Sequence, residues 1–293
     1  MCDDDNDDRP KTPLQDDCCK NDCNPCIFDV HRDILKRWEN NKSYKLGQRK
    51  NILLQTAYKL FKVSKIFDIN DDYVMISLTA KENVNDDEVI LLKPGQHIML
   101  SCFSCTRPFT PISWNNKDLN ILVRIYNTSL FTNKLKNLSI GDEIKVRGPY
   151  GNFEYKKNSY KNIIMFGIGS GIAALYPIAK NIIDDESEES RINLIAGFSS
   201  VDQIPMKQEL KLLTDYWNFQ CTIYLTNWNE NPLKTINGIK LISGKINEII
   251  VKKVLENNIP NNTLILICGN KDFNNSMEIF INKFGYDNYH VFK

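Results

Sequence analysis

Histidine is scarce in this chain: three occur in 293 residues, at positions 31, 97 and 290. Imidazoles so few and so far apart give no basis for a haem or a histidine-rich metal centre. No sign of charge dominates, because 37 Lys plus Arg face 36 Asp plus Glu. That removes the electrostatic reason to expect nucleic acid as a partner. The opening Met1-Cys2-Asp3-Asp4-Asp5 has no basic-then-apolar leader, so the nine cysteines read as those of an intracellular, reducing setting and not of a secreted disulfide scaffold. There is also no clean apolar run of membrane length, for which about 20 residues are needed. The best stretch, Ile163 to Ile183, is broken by Gly167, Gly169, Gly171, Pro177 and Lys180. A buried strand, a turn and a helix explain those glycines better than a span does. The expected location is intracellular, either cytoplasmic or peripheral to a membrane, with no transmembrane segment.

What is present divides the chain into four parts. Residues 1–17 carry Asp3, Asp4, Asp5, Asp7, Asp8, Asp16 and Asp17, an acidic run that cannot bury apolar surface and reads as a disordered tail. Residues 18–49 hold Cys18, Cys19, Cys23 and Cys26, then apolar positions at helical spacing over 28–41, which predict one short amphipathic helix. From 50 to 156 short β-rich runs alternate with turn signals such as Asn70-Asp71-Asp72, Pro94-Gly95 and Gly141-Asp142. That pattern predicts an antiparallel barrel with one helix near 132–138. From 157 to 293 strand-like and helical runs alternate, as a parallel sheet with crossover helices requires. The fold class is therefore α+β followed by α/β.

Two motifs carry chemistry. Gly167-Ile168-Gly169-Ser170-Gly171 follows a buried strand and opens a helix, where free backbone N–H groups and the positive end of the helix dipole can receive a phosphate. Taken alone, this spacing serves equally as a tight turn. Upstream, Arg107-Pro108-Phe109-Thr110-Pro111-Ile112-Ser113 joins a fixed cation, an aromatic plane and two hydroxyls in seven residues. The planar donor fork of Arg107 suits a diphosphate, and Thr110 could donate to a ring nitrogen.

The second motif resembles the Arg-x-Tyr-Thr/Ser-x-x-Ser flavin motif of the ferredoxin reductase superfamily, and its surroundings are similar to the NADH-cytochrome b5 reductase branch. Pro94-Gly95-Gln96-His97-Ile98, Val123-Arg124-Ile125-Tyr126, the segment from Gly141-Asp142 to Arg147-Gly148-Pro149-Tyr150-Gly151, Gly169-Ser170-Gly171 and Cys268-Gly269 follow in the family's order. The resemblance covers residues 53 to 293. It implies FAD on the barrel, NADH (or NADPH) on the α/β part, and hydride passing from nicotinamide C4 to flavin N5, then electrons to an acceptor such as cytochrome b5. Carried across residue by residue, Arg107 would face the FAD pyrophosphate, and Pro108, Phe109, Thr110 and Ser113 would complete that strand's contacts. Val123, Arg124 and Tyr126 would line the cofactor, and Phe131 and Thr132 would open a phosphate-facing helix. Thr110 would orient the flavin, Gly169, Ser170 and Gly171 would line the dinucleotide's approach, and Cys268 with Gly269 would pack beside the nicotinamide. Thr110 and Cys268 are thus the expected catalytic pair.

Some positions depart from that pattern. Phe109 lacks the phenol oxygen of the family's tyrosine, Thr128 and Ser129 replace two glycines, Ala173 replaces a threonine, and Asn270-Lys271-Asp272 replaces a proline-rich stretch. They motivate an alternative: a flavin- or metal-binding regulatory protein of low turnover that keeps the reductase fold. Asn227 stands where the branch carries an acidic residue against the 2′-phosphate, which removes a repulsive charge without adding an attractive one.

The leader Cys18-Cys19-x-x-x-Cys23-x-x-Cys26 resembles a short oxidoreductase-like N-terminal module. Four thiolates could close a tetrahedral zinc site, act as redox thiols, or do neither, and spacing leaves all three open. Cys102-x-x-Cys105 lies on an expected strand, where residues three apart face opposite sides, so it reads as structural.

Overall fold

A computed structural model describes residues 10–17, 25–40, 50–81, 88–102, 105–228 and 233–293. The strands of the first sheet are β1 (Lys59–Asn70), β2 (Tyr73–Ala80), β3 (His97–Cys102), β4 (Cys105–Phe109), β5 (Pro111–Trp114), β6 (Asp118–Arg124) and β7 (Glu143–Tyr150). They are antiparallel throughout, in the order β4-β3-β7-β1-β2-β6-β5. The two edge strands, β4 and β5, are separated in sequence by Thr110 alone. The sheet therefore curls until its edges meet through one residue, which sets Thr110 at the seam. Phe61, Val63, Ile76, Leu78, Ile98, Leu100, Ile121 and Val146 fill the interior.

The second sheet contains β8 (Asn162–Ile168), β9 (Arg191–Phe198), β10 (Phe219–Leu225), β11 (Leu233–Ile236), β12 (Ile239–Ser243), β13 (Thr263–Cys268) and β14 (Tyr289–Phe292), in the order β11-β12-β10-β9-β8-β13-β14. All its pairs are parallel except β11–β12. Central β8 is an unbroken apolar run, Ile163-Ile164-Met165-Phe166, buried on both faces, as expected where helices cover a parallel sheet on both sides.

Among the described residues, six α-helices complete the fold: α1 (Ile27–Asn40), α2 (Leu130–Lys136), α3 (Ile172–Ile183), α4 (Lys207–Thr214), α5 (Glu248–Leu255) and α6 (Lys271–Lys283). One apolar cluster runs from Tyr73, Met75, Ile112 and Leu122 of the first sheet into Ile172, Leu175 and Ile178 of α3. Polar ties reinforce this junction: Gln203 Nε2 donates to Asp72 Oδ2 at 2.5 Å and Asn70 Nδ2 to the Asp202 carbonyl at 2.9 Å.

The N-terminal part departs from expectation in its second half. Residues 1–9 lie outside the described residues, but Gln15–Asp17 form a short 3-10 turn and Pro13 is buried. The start of α1 is anchored on the first sheet by the fully buried Arg147, which donates from Nη2 to the Pro25 carbonyl at 3.1 Å and from Nε to the Tyr58 hydroxyl at 3.2 Å. No helix among the described residues is long and apolar enough to cross a membrane.

Candidate active site

Strand β8 ends where the glycines begin, and Gly169–Gly171 make one 3-10 turn into α3. A Cβ on Gly171 would stand 2.1 Å from the Cys268 carbonyl oxygen, so the turn passes too close to β13 for any side chain. Gly169 has φ +54°, and its missing side chain makes room for the Arg124 guanidinium. Strand β8 lies between β9 and β13, with the chain crossing to one side first and to the other later. That is a topological switch point, where a crevice opens at the carboxyl ends of the strands.

A cleft of about 590 Å³ lies between this crevice and the first sheet. Arg107, Pro108, Phe109, Thr110, Arg124 and Tyr126 enter it from the first sheet, Phe131 and Thr132 from α2, and Ser170, Gly171, Cys268 and Gly269 from the second sheet. Arg107 is solvent-exposed, with Nη1 donating to the Thr106 carbonyl at 2.9 Å. Phe109 stacks near Phe131 with ring centroids 6.0 Å apart. Arg124 lies over Tyr126 at 5.1 Å and Tyr73 at 5.8 Å. Among the described residues that line the cleft there is no Asp or Glu side chain, whereas Arg107, Arg124 and Lys293 all line it. Such a lining favours an anionic ligand.

The substitution at Ser129 has a local explanation. Its hydroxyl is the N-cap of α2 and accepts from the Thr132 amide at 3.3 Å, satisfying a helix-end donor. The Thr132 hydroxyl in turn accepts from the Tyr126 amide at 3.2 Å.

Three expected residues lie outside this larger cleft. Ser113 is exposed on β5 and its hydroxyl accepts from Asn120 Nδ2 at 2.9 Å. Val123 is fully buried in the interior of the first sheet. Gly169 lines a second cavity of about 270 Å³ with Ser199, Gln203, Thr226 and Lys245, at the carboxyl ends of β9, β10 and β12. Arg124 lines both cavities.

The residues that sequence reasoning missed are His97, Phe153, His290 and Phe292, all of which line the cleft. The last three form an aromatic cluster with centroids 4.6 to 5.4 Å apart. The Pro94-Gly95-Gln96-His97 run was visible in sequence, but the side on which His97 would fall was not.

Burial, and after it the Arg147 guanidinium, lower the His97 pKa to about 4, so the ring is neutral near pH 7. Its Nε2 is buried without a hydrogen-bond partner among the described residues. The unfolded chain binds a proton at His97 near pH 6.5. Stability is therefore full above that value and falls as pH drops towards about 4, by up to about 3 kcal/mol. His97→Gln is expected to flatten that dependence, as checked by urea unfolding of the two proteins between about pH 7.5 and about pH 4.5. Burial also pushes the Cys268 thiol up to about 12. Cys268 thus meets the cleft as a neutral thiol and not as a nucleophile.

Of the N-terminal cysteines, Cys18, Cys19 and Cys23 lie outside the described residues, and Cys26 is half-buried beside Ile27. The described residues contain no group of three or more His, Cys, Asp or Glu side chains placed to hold a metal.

Comparison with known proteins agrees with this layout. Residues 60–155 match the oxidoreductase FAD-binding domain, 165–278 the oxidoreductase NAD-binding domain, and 7–45 the family described as oxidoreductase-like protein, N-terminal. A Mus musculus protein named NADH-cytochrome b5 reductase-like is 27% identical over 92% of this chain and 90% of its own length. NADH-cytochrome b5 reductase 1 of Dictyostelium discoideum is 27% identical over 91% of this chain and 92% of its own. Among solved structures, the cytochrome b5 reductase domain of Ulva prolifera nitrate reductase superposes with a TM-score of 0.70 at 19% identity, over 83% of this chain and all of that one. An antiparallel sheet matched by an oxidoreductase FAD-binding domain, a mostly parallel sheet matched by an oxidoreductase NAD-binding domain, and relatives named NADH-cytochrome b5 reductase-like along nearly the whole length identify this chain as an oxidoreductase with a ferredoxin-reductase-like fold.

Proposed function

We infer that the protein oxidises NADH with FAD held in the larger cleft and delivers the electrons to a protein acceptor of the cytochrome b5 type. The observation that carries this reading is the meeting of Arg107-Pro108-Phe109-Thr110 with Ser170-Gly171 and Cys268-Gly269 in one cleft lined by cations. Its volume lies within the range of about 300–1,000 Å³ usual for ligand and cofactor sites. The aromatic side chains of Phe109 and Phe292 and the guanidinium of Arg107 fit a flat heteroaromatic ring joined to a diphosphate. FAD held there by these residues would supply a hydride acceptor for a reduced nicotinamide and a relay for onward electron transfer.

The protein's part is placement. Arg107 binds the diphosphate through its donor fork, and the α2 N-terminus around Thr132 offers further donors to the same anion. Thr110, at the seam of the curled sheet, orients the ring system. The Gly169–Gly171 turn brings backbone against Cys268, and this wall of the cleft would position a nicotinamide for hydride transfer. Neutral Cys268 packs beside it and excludes water.

The smaller cavity suits the adenosine half. Ser199 and Thr226 are neutral and Lys245 is cationic, and Asn227 follows Thr226 directly. NADPH is thus admitted as a second donor. Asn227→Asp is expected to lower kcat/KM for NADPH about tenfold through charge repulsion and to leave NADH within about twofold. Steady-state rates with each nucleotide check this.

The whole reading is tested by adding NADH anaerobically to the purified, FAD-loaded chain and then cytochrome b5. The yellow absorbance should bleach and then recover as the haem is reduced. A protein that binds FAD yet ignores both reduced nucleotides is instead a regulator.

A further inference from the structure

The Cys102-x-x-Cys105 pair changes meaning once the fold is known. Alternation along one strand would send the two side chains to opposite faces, but the chain reverses between them. Strand β3 ends at Cys102, β4 begins at Cys105, and the two are direct cross-strand partners, next in the ladder after Leu100–Arg107 and Ser101–Thr106. Directly opposed residues share a face. Their Cα atoms in such ladders are about 4.5–5.5 Å apart, inside the window of about 4.4–6.8 Å for a disulfide. Both side chains are half-buried against the core of the first sheet. Two residues along β4 from Cys105, on the same face, is Arg107, and two further is Phe109.

We propose that Cys102 and Cys105 form a reversible dithiol–disulfide site at the end of the hairpin that carries Arg107. The oxidant class is a small disulfide such as oxidised glutathione. One cysteine loses its proton and its thiolate attacks a glutathione sulfur, breaking that S–S bond, forming a mixed disulfide and releasing a glutathione thiolate. The second thiolate attacks the protein sulfur of the mixed disulfide, forms the Cys102–Cys105 bond and expels the second glutathione. Both cysteine sulfurs are oxidised, the glutathione disulfide is reduced, and the two cysteine protons end on the two glutathione thiols. The bond does not depend on the flavin reading. Its consequence rests on that reading: the crosslink stiffens the strand that presents Arg107, so the oxidised protein releases FAD about two- to fivefold more slowly.

The test uses the full chain equilibrated in oxidised glutathione, alkylated with iodoacetamide and cut with trypsin. Lys93 and Arg107 each precede proline, so peptide 82–117 stays whole and contains these two cysteines and no others. It is expected to be two hydrogens lighter and unalkylated, and to become doubly alkylated after dithiothreitol. Cys102→Ser and Cys105→Ser should each trap a glutathione adduct on the remaining cysteine that the parent does not accumulate. A peptide that stays doubly alkylated in that buffer, or one crosslinked to a cysteine elsewhere, overturns the pair. A bond that forms without slowing FAD release overturns the stiffening. Failure of both redox forms to take up FAD counts against the flavin reading, because the peptide masses decide the bond separately.

Discussion

Arg107→Ala is expected to weaken FAD binding by about 100-fold, the loss of two charge-assisted hydrogen bonds at about 1.5 kcal/mol each. Arg107 is exposed at the cleft on β4, its side-chain hydrogen bond in the structure being to the Thr106 carbonyl. Most of its donors are thus available to a ligand. The remaining cleft cation Arg124 keeps the lining positive, whereas Lys293 is paired with Glu278 at 3.7 Å, so the variant should retain weak binding. Arg107→Lys separates charge from geometry: an ammonium keeps the attraction but not the planar fork, and its affinity should fall between those of parent and alanine variant. Titration of the apoprotein with FAD, followed by quenching of flavin fluorescence, reads all three. An alanine variant within about twofold of the parent would remove the diphosphate from Arg107.

How far the site was legible in sequence depends on period-2 reasoning and where it breaks. The glycine turn after an apolar strand, the Arg107–Thr110 run and the change from β-rich to alternating grammar near residue 157 all rest on local patterns, and local patterns survive folding. Ser113 failed because the ladder shifts register between Pro111 and Ser113, so alternation counted from Arg107 no longer holds beyond the seam. Val123 and Arg124 could not both face the cleft. They are neighbours on β6, and a strand sends neighbours to opposite sides: Leu122 and Arg124 line the cleft while Val123 fills the interior. The pairing of Cys102 with Cys105 needed a chain reversal that the sequence does not announce. His290 and Phe292 were invisible for another reason. They reach the cleft only because β14 adds to the sheet beside β13, a contact between segments about 20 residues apart that no spacing rule encodes.

Gly171→Ala should separate the fold from the chemistry most sharply. The added methyl carbon would lie 2.1 Å from the Cys268 carbonyl oxygen, 2.6 Å from its carbonyl carbon and 3.2 Å from the Gly269 nitrogen, all backbone atoms that no rotamer change can move. At Gly269 the corresponding clash is with side chains, Phe273 at 2.5 Å and Ile168 at 2.7 Å, which can give way. Relief at Gly171 therefore requires the turn to move away from β13, at a cost of about 1–3 kcal/mol or more for overpacking. It also displaces the backbone on which the nicotinamide is aligned, and a misplacement of about 1 Å costs on the order of 100-fold in rate. Because Arg107, Phe109 and Thr110 belong to the other sheet, FAD affinity should change little. The expected signature is a yellow protein whose anaerobic bleaching by NADH, measured by stopped flow, slows by about 100-fold while its FAD titration stays near that of the parent. Ser170→Ala, at an exposed position in the same turn, should keep the parent's stability and serves as the control. A Gly171→Ala protein that bleaches at the parent rate would show that the dinucleotide is not aligned at this turn.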